Sequence, residues 1–132
     1  MTFPHGFPPE LAAEAFAPGN EAAWQPEFAI KAAGWLAAHD YAVIGTELWL
    51  LQGNAIQSLP IGRSGQREVN GNVVDREHDE DWSSFVARAA AKTREYLISF
   101  KISDIVEHGQ IYFNVTWVSE NEFTESRHSA KK

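Results

Sequence analysis

Apolar residues return along this chain in two rhythms. Between residues 80 and 100, Trp82, Phe85, Val86, Ala89, Thr93, Tyr96, Leu97 and Phe100 recur every three or four positions. That spacing lays one apolar stripe along a helix. Asp79 or Asp81 is placed to cap it, and several acids fall in its first turn. Arg88, Lys92 and Arg94 come later, the order the helix dipole favours. A second helix is predicted from about Pro26 to Ala38. Proline suits the first helical position, because its missing N–H would find no partner there. Phe28, Ala32, Trp35 and Leu36 then share a face, Glu27 and Lys31 form a favourable pair four apart, and the helix stops near His39-Asp40.

The other rhythm is two. Ile111, Phe113, Val115 and Trp117 alternate with Tyr112, Asn114, Thr116 and Val118, a half-buried strand. Tyr41–Gln52 reads as another strand, Gly53-Asn54 as a two-residue hairpin turn, and Ala55–Leu59 as the returning strand ended by Pro60. Residues 61–78 hold three glycines and few apolar groups, so they read as a long loop with a short strand around Val73-Val74. Residues 101–108 form an irregular connection. Residues 1–20 are predicted to be loosely held, with one or two helical turns at Leu11–Phe16 between prolines. Residues 21–24 make an earlier turn, and the polar stretch 120–132 is expected to fray. The order of elements predicts one α+β domain over residues 21–119: a small antiparallel sheet with two main helices packed on one face.

Composition narrows the class. A chain of 132 residues, 44% hydrophobic and with five Trp, three Tyr and eight Phe, can bury one core. It has no cysteine, so neither a disulfide framework nor a cysteine zinc site is available. The first nine residues carry no Lys or Arg and are broken by prolines, unlike a signal peptide. The longest apolar stretch, Tyr41–Leu51, contains Glu47 and is too short to span a bilayer. The expected location is therefore cytoplasmic. Net charge is −7 with no basic stripe, which argues against direct nucleic-acid or membrane binding and for a basic partner.

One segment concentrates that charge. Asp75-Arg76-Glu77-His78-Asp79-Glu80-Asp81 packs five carboxylates just ahead of Trp82. Three readings compete: solvated charges around a helix cap, a metal site and a partner surface. Hard cations take crowded oxygen ligands, but the glycine turn and terminal Glu of a calcium loop are missing. No metal and no cofactor is expected. The C-terminal acids suit a cap, whereas Asp75 and Glu77 lie too far upstream for one. Asp75, Glu77, Asp79 and Glu80 are therefore the candidate partner-binding acids. Glu47 is the second candidate, an acid within an apolar strand that shares a face with Trp49. An exposed tryptophan beside a glutamate would make a recognition patch.

No catalytic motif stands in the chain, so no catalytic residue is assigned. Histidines 5, 39, 78, 108 and 128 are scattered, Ser83-Ser84 lacks the glycines of a nucleophile elbow, and no helix follows Gly62-Arg63-Ser64-Gly65 to make a phosphate loop. Trp35, Trp82 and Trp117 sit on apolar faces and read as core.

Two segments together resemble a known family. One is Ala42-Val43-Ile44-Gly45-Thr46-Glu47-Leu48-Trp49, a strand with a glycine, an acid and an aromatic. The other is Asp81-Trp82-Ser83-Ser84-Phe85-Val86-Ala87-Arg88, which is similar to a Trp-x-x-Phe/Tyr-Val-x-Arg helix. The strand from Ile111 follows in the expected order. The chain resembles immunity proteins of bacterial polymorphic toxin systems, of the immunity protein 40 type, over about residues 30–118. Residues 61–78 depart from the family pattern, so only Gly45, Glu47, Trp82, Phe85 and Arg88 carry across. The resemblance implies a cytosolic, non-catalytic inhibitor that binds one cognate toxin domain, and the chain's acidity suits a basic toxin such as a nuclease. Two alternatives remain: a small acidic enzyme or ligand-binding domain using Glu47 and the carboxylates at 75–81, and a structural domain that associates through a sheet edge.

Overall fold

A computed structural model describes residues 3–52, 55–58, 72–99 and 110–124. The elements run α1 (Pro9–Glu14), β1 (Ala23–Trp24), α2 (Pro26–Ala38), β2 (Ala42–Gln52), β3 (Ala55–Ser58), β4 (Asn72–Val73), α3 (Trp82–Ser99) and β5 (Gln110–Val118). All pairing is antiparallel, in the order β1-β5-β2-β3, with β4 sharing the outer edge of β2. The architecture is the expected α+β sheet with two main helices. Gln52 pairs with Ala55, the spacing a two-residue turn requires. The Gly53-Asn54 turn itself, the loop over 61–71, the connection at 101–108 and the last residues of the tail lie outside the described residues.

The central pair, β2 with β5, explains why the two-residue rhythm was so regular. Leu48 faces Phe113 and Leu50 faces Ile111 on one side of the sheet. Leu48 and Phe113 are fully buried, in one cluster with Ala29, Ala32 and Leu36 of α2 and Tyr96 and Leu97 of α3. The alanines let α2 lie close, while α3 brings larger side chains. A bulge at Val43/Gly45 shifts the register and lets Ala42 pack with Phe85, Val86 and Ala89 near the start of α3.

Helix α2 ends by hydrogen bonding rather than by proline. Asp40 takes φ 65°, its N–H bonds the Ala37 carbonyl at 3.3 Å, and the Tyr41 N–H bonds the Leu36 carbonyl at 2.9 Å. This double closure usually places glycine at the left-handed position, and aspartate is among the few residues that tolerate it.

Residues 3–16 and 120–124 are better held than their composition suggested. Phe3 and Phe7 stack at 4.8 Å, Phe7 meets the edge of Trp35 at 5.0 Å, and Phe3 lies against Trp117 at 6.2 Å. The Trp24 indole N–H donates to the Leu11 carbonyl at 2.7 Å. Residues 3–16 are thus pinned by rings that local polarity and proline content concealed. Residues 21–24, expected as a turn, include strand β1, and Phe16 and Ala23 exchange two backbone hydrogen bonds of 2.8 Å. At the other end, residues 120–124 form a helical turn. Ser119 and Glu122 close it reciprocally: the Glu122 carboxylate accepts the Ser119 N–H at 2.9 Å and the Ser119 hydroxyl accepts the Glu122 N–H at 3.2 Å. Phe123 then packs on Trp82 and Phe85. The fraying expected from residue 120 does not begin there.

The tryptophans also redistribute. Trp24 is fully buried and Trp49 is 7% exposed, whereas Trp35, Trp82 and Trp117 sit half-buried around the core.

Candidate partner-binding site

The acidic run divides into inward and outward carboxylates. Glu80 turns in. Its side chain is 11% exposed and receives the fork of Arg88, Nε to Oε2 at 2.9 Å and Nη2 to Oε1 at 2.8 Å. Such a two-point ion pair fixes direction as well as distance. The same Arg88 nitrogen donates to the Asp75 carbonyl. Glu80 Oε1 also accepts the Glu77 N–H at 2.9 Å, while the Glu80 N–H donates back to the Glu77 carbonyl at 3.1 Å. These bonds close a tight turn over 77–80, with Asp79 in the left-handed region at φ 64°. The Arg88 hydrogen bonds, then the Glu77 N–H, pull the Glu80 carboxyl down from 4.5 to about 2.

Arg76 fastens the turn from the other side. Its Nε donates to the Glu80 carbonyl at 2.8 Å. Its guanidinium lies 5.5 Å from the Trp82 ring centre and 6.0 Å from that of Phe123, with Glu120 4.0 Å away. The Trp82 indole N–H donates to the Asp40 carbonyl at 2.9 Å, joining the start of α3 to the end of α2.

Asp81 is the helix cap. Its Oδ1 accepts the Ser84 N–H at 2.8 Å and its carbonyl accepts the Phe85 N–H at 3.0 Å. Hydrogen bonding from Ser84 holds its carboxyl below the usual aspartate value. Asp79 takes no part in the cap. The first turn of α3 contains no acid, contrary to the expectation; the acids stop at the cap.

Asp75, Glu77, His78 and Asp79 remain outside. All four are exposed, and the His78 ring and the Asp79 carboxylate approach to 3.3 Å in open solvent. They crown a turn anchored from below by Glu80, Arg88 and Arg76. The surface continues into a groove of about 490 Å³ that includes Asp40, Tyr41, Trp82, Ser83 and Glu120. Among the described residues, no three His, Cys, Asp or Glu side chains are grouped to hold a metal ion.

Glu47 and Trp49 lie elsewhere. β4 pairs Asn72 with Thr46 and Val73 with Gly45, so the chain runs antiparallel away from Glu47 before the acidic run begins. The two sets of sequence candidates therefore do not converge. The Trp49 indole is covered and donates to Glu47 Oε1 at 3.3 Å, so the exposed tryptophan expected here is absent.

The helix motif gains a physical meaning from this geometry. Trp82, Phe85 and Arg88 lie along the part of α3 that meets the acidic turn. The indole meets Arg76, the Phe85 ring lies 5.5 Å from those of Trp82 and Phe123, and the Arg88 guanidinium takes Glu80. Sequence reasoning missed the Glu80–Arg88 pair because eight positions separate its members across a helix start, a spacing that no local rule singles out. Arg88 as a motif residue was the available signal.

No curated protein and no solved structure matches the chain. No helix among the described residues is long and apolar enough to cross a membrane. A family match does cover residues 11–117, from within α1 through both main helices to the penultimate residue of β5. It includes every residue that builds the acidic turn except Glu120 and Phe123, and on it the chain belongs to the Immunity protein 40 family, whose membership points to immunity against a polymorphic toxin and to a non-enzymatic role.

Proposed function

We propose that this protein binds one cognate toxin domain in the bacterial cytosol and neutralises it without catalysis, using the acidic turn as a principal contact. The observation that carries the proposal is the sorting of the carboxylates. Glu80 turns inside the fold, and its bonds to the Glu77 N–H and to Arg88, with the Arg88 bond to the Asp75 carbonyl, hold Asp75, Glu77 and Asp79 at the surface on a fixed turn. Fixed surface charges approach a partner with little ordering left to do, so their Coulomb attraction is retained in the complex. Glu80 therefore serves binding as a positioning residue. Trp49 offers little area because it is covered, so Glu47 and Trp49 are secondary to the turn.

The partner this surface fits is basic, which makes a nuclease domain the favoured toxin class. Attraction between a net charge of −7 and such a domain accelerates encounter at low salt. Co-expression with the toxin domain encoded by the adjacent gene tests the reading. Survival of the host and recovery of a stable complex are expected. Continued toxicity with no complex recovered would overturn it. The enzyme alternative needed Glu47 and the acids at 75–81 to meet in one pocket, and no observation favours it.

A further inference from the structure

Among the described residues, strand β5 has an unfinished edge. On its β1 side, Trp24 and Ala23 pair with Phe113 and Asn114, and the Val115 N–H donates to the Ala22 carbonyl at 3.0 Å. The chain preceding Ala22 then turns off. Glu21 N–H bonds the Pro18 carbonyl at 3.1 Å, and Gly19 takes φ 60°, so Asn20 never reaches the position opposite Trp117. Backbone groups two apart in a strand point the same way. The N–H and C=O of Trp117 therefore face the side that Ala22 covers for Val115, and among the described residues no backbone partner meets them.

A groove of about 400 Å³ runs along this edge, with Asn114, Thr116 and Trp117 as its floor. Glu21 and Glu122 also line it, both exposed. Glu122 is fixed there because one of its oxygens caps the turn at Ser119. Among the described residues, no lysine or arginine lines the groove. An open strand edge between two carboxylates selects by shape for extended backbone and by charge for cations.

We propose that the edge of β5 at Trp117 receives an extended, Lys- or Arg-bearing segment of the toxin domain as a short added strand, its cationic side chains meeting Glu21 and Glu122. This deepens the proposed function and rests on it. The acidic turn attracts the partner, and the strand edge gives it a register.

Amide hydrogen exchange on the whole protein, alone and with the co-expressed toxin domain, tests the proposal. Alone, Trp117 should exchange faster than Val115. In the complex, Trp117 should slow by at least about tenfold, and Glu21→Lys should weaken the Kd by about tenfold while leaving Tm unchanged. Glu122→Gln, which keeps the cap, should weaken it in the same direction. A complex that forms with no change in Trp117 exchange, and with Glu21→Lys binding as tightly as the wild type, would overturn the strand edge and leave toxin binding standing. Protection of Trp117 that grows with protein concentration in the absence of toxin would overturn it in favour of a second copy of this chain. Absence of any complex would overturn both readings together.

Discussion

Two segments outside the sheet and its two main helices are held by opposite means. Residues 3–16 are pinned by rings: Phe3 and Phe7 against Trp24, Trp35 and Trp117. Residues 75–81 are pinned by charge: Glu80 on Arg88, and Arg76 across Trp82 and Phe123. Ring packing is insensitive to pH and salt, and it turns a segment into core. Guanidinium anchoring leaves the neighbouring carboxylates in water. Only the second device builds a surface that is both rigid and charged, and the contrast predicts different responses to mutation, acid and salt.

The largest effect belongs to the ring-held segment. Trp24 is fully buried, touches both phenylalanines and bonds the Leu11 carbonyl. Trp24→Ala should cost about 3–5 kcal/mol, the range for deleting a large buried aromatic. Urea unfolding would show it as a lower midpoint with an unchanged slope. Amide exchange in residues 9–16 should rise along with it. A loss within error of zero would mean that the N-terminal segment contributes nothing to the fold.

Arg88→Met should come next. It strands the Glu80 carboxylate at 11% exposure and removes the bond to the Asp75 carbonyl. Tm should fall by several degrees, and exchange should accelerate selectively at Glu77 and Glu80, whose N–H groups close the turn. Arg88→Lys should restore only part, because an ammonium cannot reproduce the parallel Nε and Nη2 bonds. Uniform loosening, with no preference for the turn, would deny Arg88 its anchoring role.

Acid should separate the two segments without mutation. The folded Glu80 value of about 2 lies below its ordinary 4.5, and Asp81 is also lowered. Their contribution is complete above pH about 4.5 and drains away as pH falls towards 2. Stability should therefore decline over that window, less steeply in Glu80→Gln. Exchange in the turn should rise before exchange around Trp24. Identical acid slopes in wild type and Glu80→Gln would show that the pair carries no pH-dependent stability.

The same contrast explains what was legible in the sequence. Helix α2 and strands β2 and β5 repeat their periods over many residues, so the pattern placed them almost to the residue. The ring-held segment was hidden because Pro4, Gly6, Pro8 and Pro9 interrupt the four-residue spacing of Phe3, Phe7 and Leu11, so that spacing does not read as a helix; only the sheet brings them to Trp24. Strand β1 is two residues long, below what any alternation can reveal. The acidic run was visible as composition, and its division was not. Inward Glu80 and outward Asp79 are adjacent in sequence and differ only through a left-handed turn and an arginine eight positions on.

The smallest effect on stability, and the most informative, should come from the outward acids. Asp75 and Glu77 are exposed, and the bonds they give the turn come from their backbones, the Asp75 carbonyl and the Glu77 N–H and carbonyl. Asp75→Asn with Glu77→Gln keeps those backbones and removes two charges, so Tm should stay within error of the wild type. If the turn steers a basic toxin domain, association should slow by about tenfold at low salt and the gap should close as salt rises, because exposed charges are screened over about 10 Å at 0.1 M. Dissociation should change less. If instead the double variant associates at the wild-type rate across the salt series, the turn is rigid for a reason other than partner capture. Recognition would then be left to surfaces such as the β5 edge, where backbone pairing depends little on salt.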